Sequence, residues 1–80
     1  MRILDADAER SLHSLQLYFT QSEAVELRDA LDDLLKAPDA LEHRHVIGDG
    51  RELSFSIITP SKLKNLKTYT EVERRVLQER

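Results

Sequence analysis

This sequence predicts an α+β fold: an antiparallel four-stranded sheet in β-β-α-β-β order, one long helix on one face, and a short C-terminal helix. Three observations carry that expectation. Apolar residues recur at three- and four-residue steps through TQSEAVELRDALDDLLKAP, residues 20–38, which is the spacing of a single helical stripe. Residues 13–20, HSLQLYFT, alternate with the period of two that a half-buried strand requires. Asp49-Gly50 stands between two further extended runs and belongs to the residue pairs preferred in a two-residue type I′ turn.

Taken in order, residues 2–20 read as a first hairpin. Its second arm is the clearer one: Leu15, Leu17 and Phe19 share a face with His13, while Ser14, Gln16, Tyr18 and Thr20 take the other. The first arm, around Ile3 and Leu4, is weaker, and the polar stretch from Asp7 to Ser11 supplies the turn. A competing arrangement makes Asp5 an N-cap and winds a short helix through Ala8, Leu12 and Leu15. The alternation of Leu15, Leu17 and Phe19 favours the hairpin.

The central helix is marked at both ends. Thr20 followed by Glu23 fits a capping box, in which the hydroxyl accepts from a free backbone N–H and the carboxylate reaches back to the cap's own N–H; Ser22 is the alternative cap. Pro38 cannot donate to the helical ladder and biases Ala37 away from helical angles, so the helix should stop near Lys36. Ala24, Leu27, Leu31, Leu34 and Leu35 form its apolar stripe, with Ala30 beside them. Leu31→Asp is therefore expected to unfold the protein, by driving a charge into that stripe without a partner. The opposite face carries Glu23, Glu26, Asp29, Asp32 and Asp33 against only Arg28 and Lys36.

Residues 41–60, LEHRHVIGDGRELSFSIITP, read as a second hairpin. With Asp49-Gly50 as the loop, Val46 faces Leu53 and Arg44 faces Phe55; His43, His45, Ser54 and Ser56 then share the other side of the sheet. A three-residue loop, Gly48-Asp49-Gly50, would reverse the faces and bring both histidines among the apolar residues. Pro60 ends the last strand, and SKLKNLK reads as a loop or a short helical turn with Leu63 and Leu66 on the core. Thr70 and Glu73 repeat the capping-box pattern, and Tyr69, Val72 and Val76 sit at helical spacing, which predicts a second helix of about ten residues. The central helix should cover Leu15, Leu17, Phe19, Leu53, Phe55 and Ile57, leaving Tyr18, Ile47 and Ile58 on the open face.

Residues 1–80 are expected to form one small domain. A domain of this size buries only about 60–65% of the surface its unfolded chain exposes, which makes self-association a common remedy, and a homo-oligomer, a dimer, is the partner expected first. There is no cysteine, so neither a disulfide framework nor a thiolate metal site is available, which fits a reducing interior. No apolar run approaches the roughly 20 residues of a membrane span, and the N-terminal stretch lacks a signal peptide's apolar centre, so the expected location is cytoplasmic, away from the membrane. The net charge of −3 hides an asymmetry. Residues 1–60 hold six basic against twelve acidic side chains, whereas residues 61–80 hold six basic against three acidic. Such a tail either docks on its own acidic body or a second copy, or it touches a polyanion.

Few residues point to chemistry. His43-x-His45 lies on a predicted strand, where residues two apart project to one side, so the two imidazoles could share a metal with His13 or Asp49 completing its shell. The simpler account is a surface pair hydrogen-bonded to Ser54 and Ser56. Lys62, Lys64, Lys67, Arg74 and Arg75, with Tyr69, form the only basic cluster that could meet a nucleic acid, against an overall pI near 5.5. The acidic helix face could instead occupy a basic protein partner. No serine stands in a nucleophile elbow, and the carboxylates have no enclosed cleft in which to be tuned. The function expected is a non-catalytic interaction or regulatory module without a cofactor, with nucleic-acid binding and a His-x-His metal site as alternatives.

Overall fold

The elements run β1 (Leu4–Asp5), β2 (Arg10–Ser11), α1 (Gln21–Lys36), β3 (Arg44–Gly48), β4 (Arg51–Phe55), α2 (Pro60–Lys64), a 3₁₀ turn at Leu66–Thr68, and α3 (Glu71–Leu77). They are taken from a computed structural model that describes residues 1–40 and 43–79. The start of the expected second hairpin at Leu41, and the tail cation Arg80, lie outside the described residues. The α+β class holds, but the expected four-stranded sheet is replaced by two separate antiparallel pairs, β1–β2 and β3–β4.

The first hairpin is shorter than its alternation suggests. Asp5 Oδ1 accepts from the N–H groups of Asp7 and Ala8, both at 3.1 Å, and Glu9 at φ 55° turns the chain back, so that Leu4 pairs with Ser11 and Asp5 with Arg10. Asp5 thus caps a turn, as in the competing arrangement, but no helix follows it. The pairing ends where the Leu12 N–H donates to Ile3 C=O at 2.9 Å. Residues 14–20 belong to no strand.

The second hairpin forms in the expected register. Asp49 and Gly50 both have positive φ, 54° and 72°, as a type I′ loop demands, and Val46 pairs with Leu53 and Arg44 with Phe55. Its inner face lies on α1. Leu34 is completely buried and Val46 nearly so, with Leu27, Ala30, Leu53 and Phe55 half-buried around them. Gly48 allows the closest approach: a side-chain carbon there would overlap Glu23 Oε2. That carboxylate is already engaged in the α1 cap, where Thr20 N–H donates to Glu23 Oε1 at 2.8 Å and Glu23 N–H to Thr20 Oγ1 at 3.2 Å. Arg44 also reaches across to Asp33 at 3.5 Å.

The face that α1 turns inward is rotated from the one its leucines suggest. Leu27, Ala30 and Leu34 point to β3, whereas Leu31 and Leu35 remain 41% and 66% exposed. A carboxylate at position 31 would therefore reach water, so the expectation that Leu31→Asp unfolds the protein does not survive; Leu34 holds that role.

After β4, Thr59 Oγ1 accepts from Lys62 N–H at 3.2 Å, and Pro60, in the first helical turn, opens α2 as well as closing the extended chain. α3 starts on the second capping box, Thr70 with Glu73, and runs seven residues rather than ten. Its Val76 is buried. Glu79, just beyond α3, ties the two ends together: Ser11 Oγ donates to Glu79 Oε1 at 2.7 Å, and the Arg2 guanidinium donates to Glu79 C=O. Among the described residues no helix is long and apolar enough to cross a membrane.

The packing leaves a large surface. A compact monomer of 9.3 kDa exposes about 5,000 Å² by the usual mass scaling, whereas this chain exposes 6620 Å². Its radius of gyration, 13.3 Å, also exceeds the roughly 11.6 Å expected of 80 compact residues.

Candidate functional site

The outer face of the β3–β4 hairpin collects His43, His45, Ile47, Glu52 and Ser54, because the register places Ser54 beside His45 and Glu52 beside Ile47. His45 Nδ1 lies 2.6 Å from Glu52 Oε1 and 2.7 Å from Ser54 Oγ, and the Ser54 hydroxyl donates to the same carboxylate oxygen at 3.0 Å. In a neutral ring with Nδ1–H turned to Glu52, Nε2 of His45 would be the acceptor. The His43 ring stands edge-on to it, centroids 4.6 Å apart and planes at 88°. Every member of the group is exposed.

The expected contact of His45 with Ser54 is therefore present, and Glu52 joins it. The spacing of the second hairpin already contains that signal: once Val46 faces Leu53, Glu52 must project on the histidine side, diagonal to His45. The residues named as a third metal ligand are not brought in. His13 lines an open groove with Arg2, Ser11 and Glu79, and Asp49 Oδ2 pairs with Arg51 at 3.4 Å in the hairpin loop. Among the described residues no three His, Cys, Asp or Glu side chains converge as a metal-binding group.

The basic cluster is divided by its own hydrogen bonds. Lys62 Nζ donates to Ile57 C=O at 2.8 Å and Arg74 Nη1 to Tyr69 C=O at 3.0 Å, both half-buried, so two of the five cations brace the backbone around α2 and α3. Lys64, Lys67 and Arg75 are exposed.

Apolar side chains are also left uncovered. Leu15, Leu17 and Phe19 are 49%, 48% and 38% exposed, and Tyr18 between them is 87% exposed. Ile47, Leu31 and Leu35 add to the uncovered apolar surface, and Met1, Ile58, Leu63 and Leu77 line a further groove. Tyr18, Ile47 and Ile58, the residues expected on an open face, are all exposed. The exposure of Leu15, Leu17 and Phe19 runs against their alternation, which assigns them to the core. Comparison with known proteins yields no relative: no protein-family model, no curated protein and no solved structure matches this chain.

Proposed function

We propose that this chain is a non-catalytic protein-interaction or regulatory module that works as a homodimer, in the reducing, cytoplasmic setting that a cysteine-free sequence suits. The observation that carries the proposal is the 6620 Å² of exposed surface. It exceeds the expectation for a compact monomer of this mass by about 1,600 Å², and a standard stable interface takes only about 800 Å² from each partner. Leu15, Leu17, Tyr18, Leu35 and Ile47 are among the exposed side chains, and withdrawal of such side chains from water drives association.

The polar groups support binding more readily than catalysis. The His45–Glu52–Ser54 cluster is open to solvent on a hairpin face, where no enclosure excludes water from a reacting group. Nucleic-acid binding through Lys62, Lys64, Lys67, Arg74 and Arg75 is the alternative, weakened by the backbone bonds of Lys62 and Arg74. Native mass spectrometry and sedimentation velocity of the untagged protein test the reading. A dimer of 80-residue chains at micromolar concentration is expected. A monomer persisting at about 100-fold higher concentration would overturn it.

A further inference from the structure

We propose that residues 14–20 are the dimer interface, pairing as an antiparallel strand with the same residues of a second copy about a two-fold axis at Leu17. The inference rests on the homodimer reading and names the surface it uses.

The backbone supplies the first argument. Among the described residues, no N–H or C=O of residues 13–19 takes part in a backbone hydrogen bond, although the flanking Leu12 and Thr20 do. Such a run leaves its backbone donors and acceptors open to pairing with another extended segment. The side chains supply the second. Leu15, Leu17 and Phe19, which the period of two in the sequence would set on one side of a strand, are only half covered, while Tyr18, which it would set on the other, is almost fully in water. Natural strand edges are protected by lysine, proline or a bulge. SLQLYFT has no charged residue, no proline and no glycine.

Self-pairing follows from the order of the residues. With the axis at Leu17, Leu17 faces its own copy, Leu15 faces Phe19, Gln16 faces Tyr18, and Ser14 faces Thr20. Apolar positions meet apolar ones and hydrogen-bonding positions meet each other. A shift by one residue would set Leu17 against Tyr18 and Gln16 against Phe19, mixing the two faces of the new sheet. Because the segment is uncharged, its two-fold repetition brings no like charges together. A charged strand would find no counter-charge here, and the surface exposed beyond that of a compact monomer, about 1,600 Å², covers the roughly 800 Å² that each copy gives to a stable dimer, so a second copy is the occupant proposed.

The test uses Leu17→Lys and Leu17→Cys, with Glu9→Cys as a control on the exposed turn between β1 and β2; the absence of native cysteine makes each introduced thiol unique. Position 17 is half exposed in the single chain, so either change leaves the chain's own packing largely alone. Sedimentation velocity should show dimerisation weakened by about tenfold or more for Leu17→Lys, with the circular-dichroism spectrum unchanged. Mild oxidation should convert Leu17→Cys, but not Glu9→Cys, into a covalent dimer. A wild-type dimer that persists in Leu17→Lys and does not cross-link in Leu17→Cys would overturn this interface while leaving the dimer, and would move the contact to another face such as Leu31 and Leu35 of α1. A monomeric wild-type protein would overturn both readings together.

Discussion

Leu34 and Leu31 lie three residues apart on one helix and are equal members of one apolar stripe by spacing, yet the first is wholly buried and the second 41% exposed. Periodicity locates a stripe but not its rotation, because an apolar face about 100° wide is broader than a two-stranded hairpin can cover. Leu34→Ala should accordingly cost about 2–5 kcal/mol, the range for an aliphatic side chain removed from a packed site, while Leu31→Ala should cost under about 1 kcal/mol in the isolated chain. Urea titrations of the two variants decide this, and equal losses would mean that Leu31 is packed as fully as Leu34. The histidine site is legible to a similar depth. A two-residue loop puts His45 beside Ser54, and that pairing forms; Glu52 escapes a reading that stops at the directly opposite residue, although the same register places it within reach. The convergence of a third ligand cannot be read in this way, since it depends on how distant segments meet rather than on spacing along one strand.

At the scale of elements, the features that the sequence displays most faithfully are those whose cause is local. Both capping boxes form, the α1 helix ends at Lys36 as Pro38 requires, and the Asp49-Gly50 loop sets the register of its hairpin. Each needs only residues within four positions of one another. The period-two pattern of residues 13–20 is different in kind. It says that the segment can be a strand with one covered face, and leaves unsaid what pairs with it. Two of the local devices are also coupled to each other. Gly48 lies beneath the Glu23 carboxylate that completes the α1 cap, so Gly48→Ala should push that carboxylate aside and loosen the cap. Thr20→Ala removes the same cap from its other side, at a cost of about 1 kcal/mol. The double variant should then lose less stability than the two single losses added together, because the cap can be lost only once. Strict additivity in chemical denaturation would show that Gly48 is required for the hairpin alone.

For the whole molecule the question is how so small a core, with Leu34, Val46 and Val76 as the buried apolar side chains among the described residues, could hold an 80-residue fold. Fixing the backbone of each residue costs about 1–2 kcal/mol, and burial of apolar surface is the principal term that offsets it. A chain that leaves Leu15, Leu17, Tyr18, Leu35 and Ile47 in water has left much of that term unused. The proposed association would recover it, and would make stability depend on protein concentration, since the folded state would then be a complex and the unfolded state not. For a dimer unfolding to two chains, each tenfold rise in concentration adds about 1.4 kcal/mol per dimer. Spread over the unfolding entropy of two 80-residue chains, this raises Tm by about 4 °C. Calorimetry from about 5 to about 500 μM should therefore show a transition that climbs by about 8 °C, and Leu17→Lys should flatten the dependence at the dilute end. A Tm that stays constant over the range would mean that the exposed leucines are tolerated by a stable monomer, and that the small core suffices without a second copy.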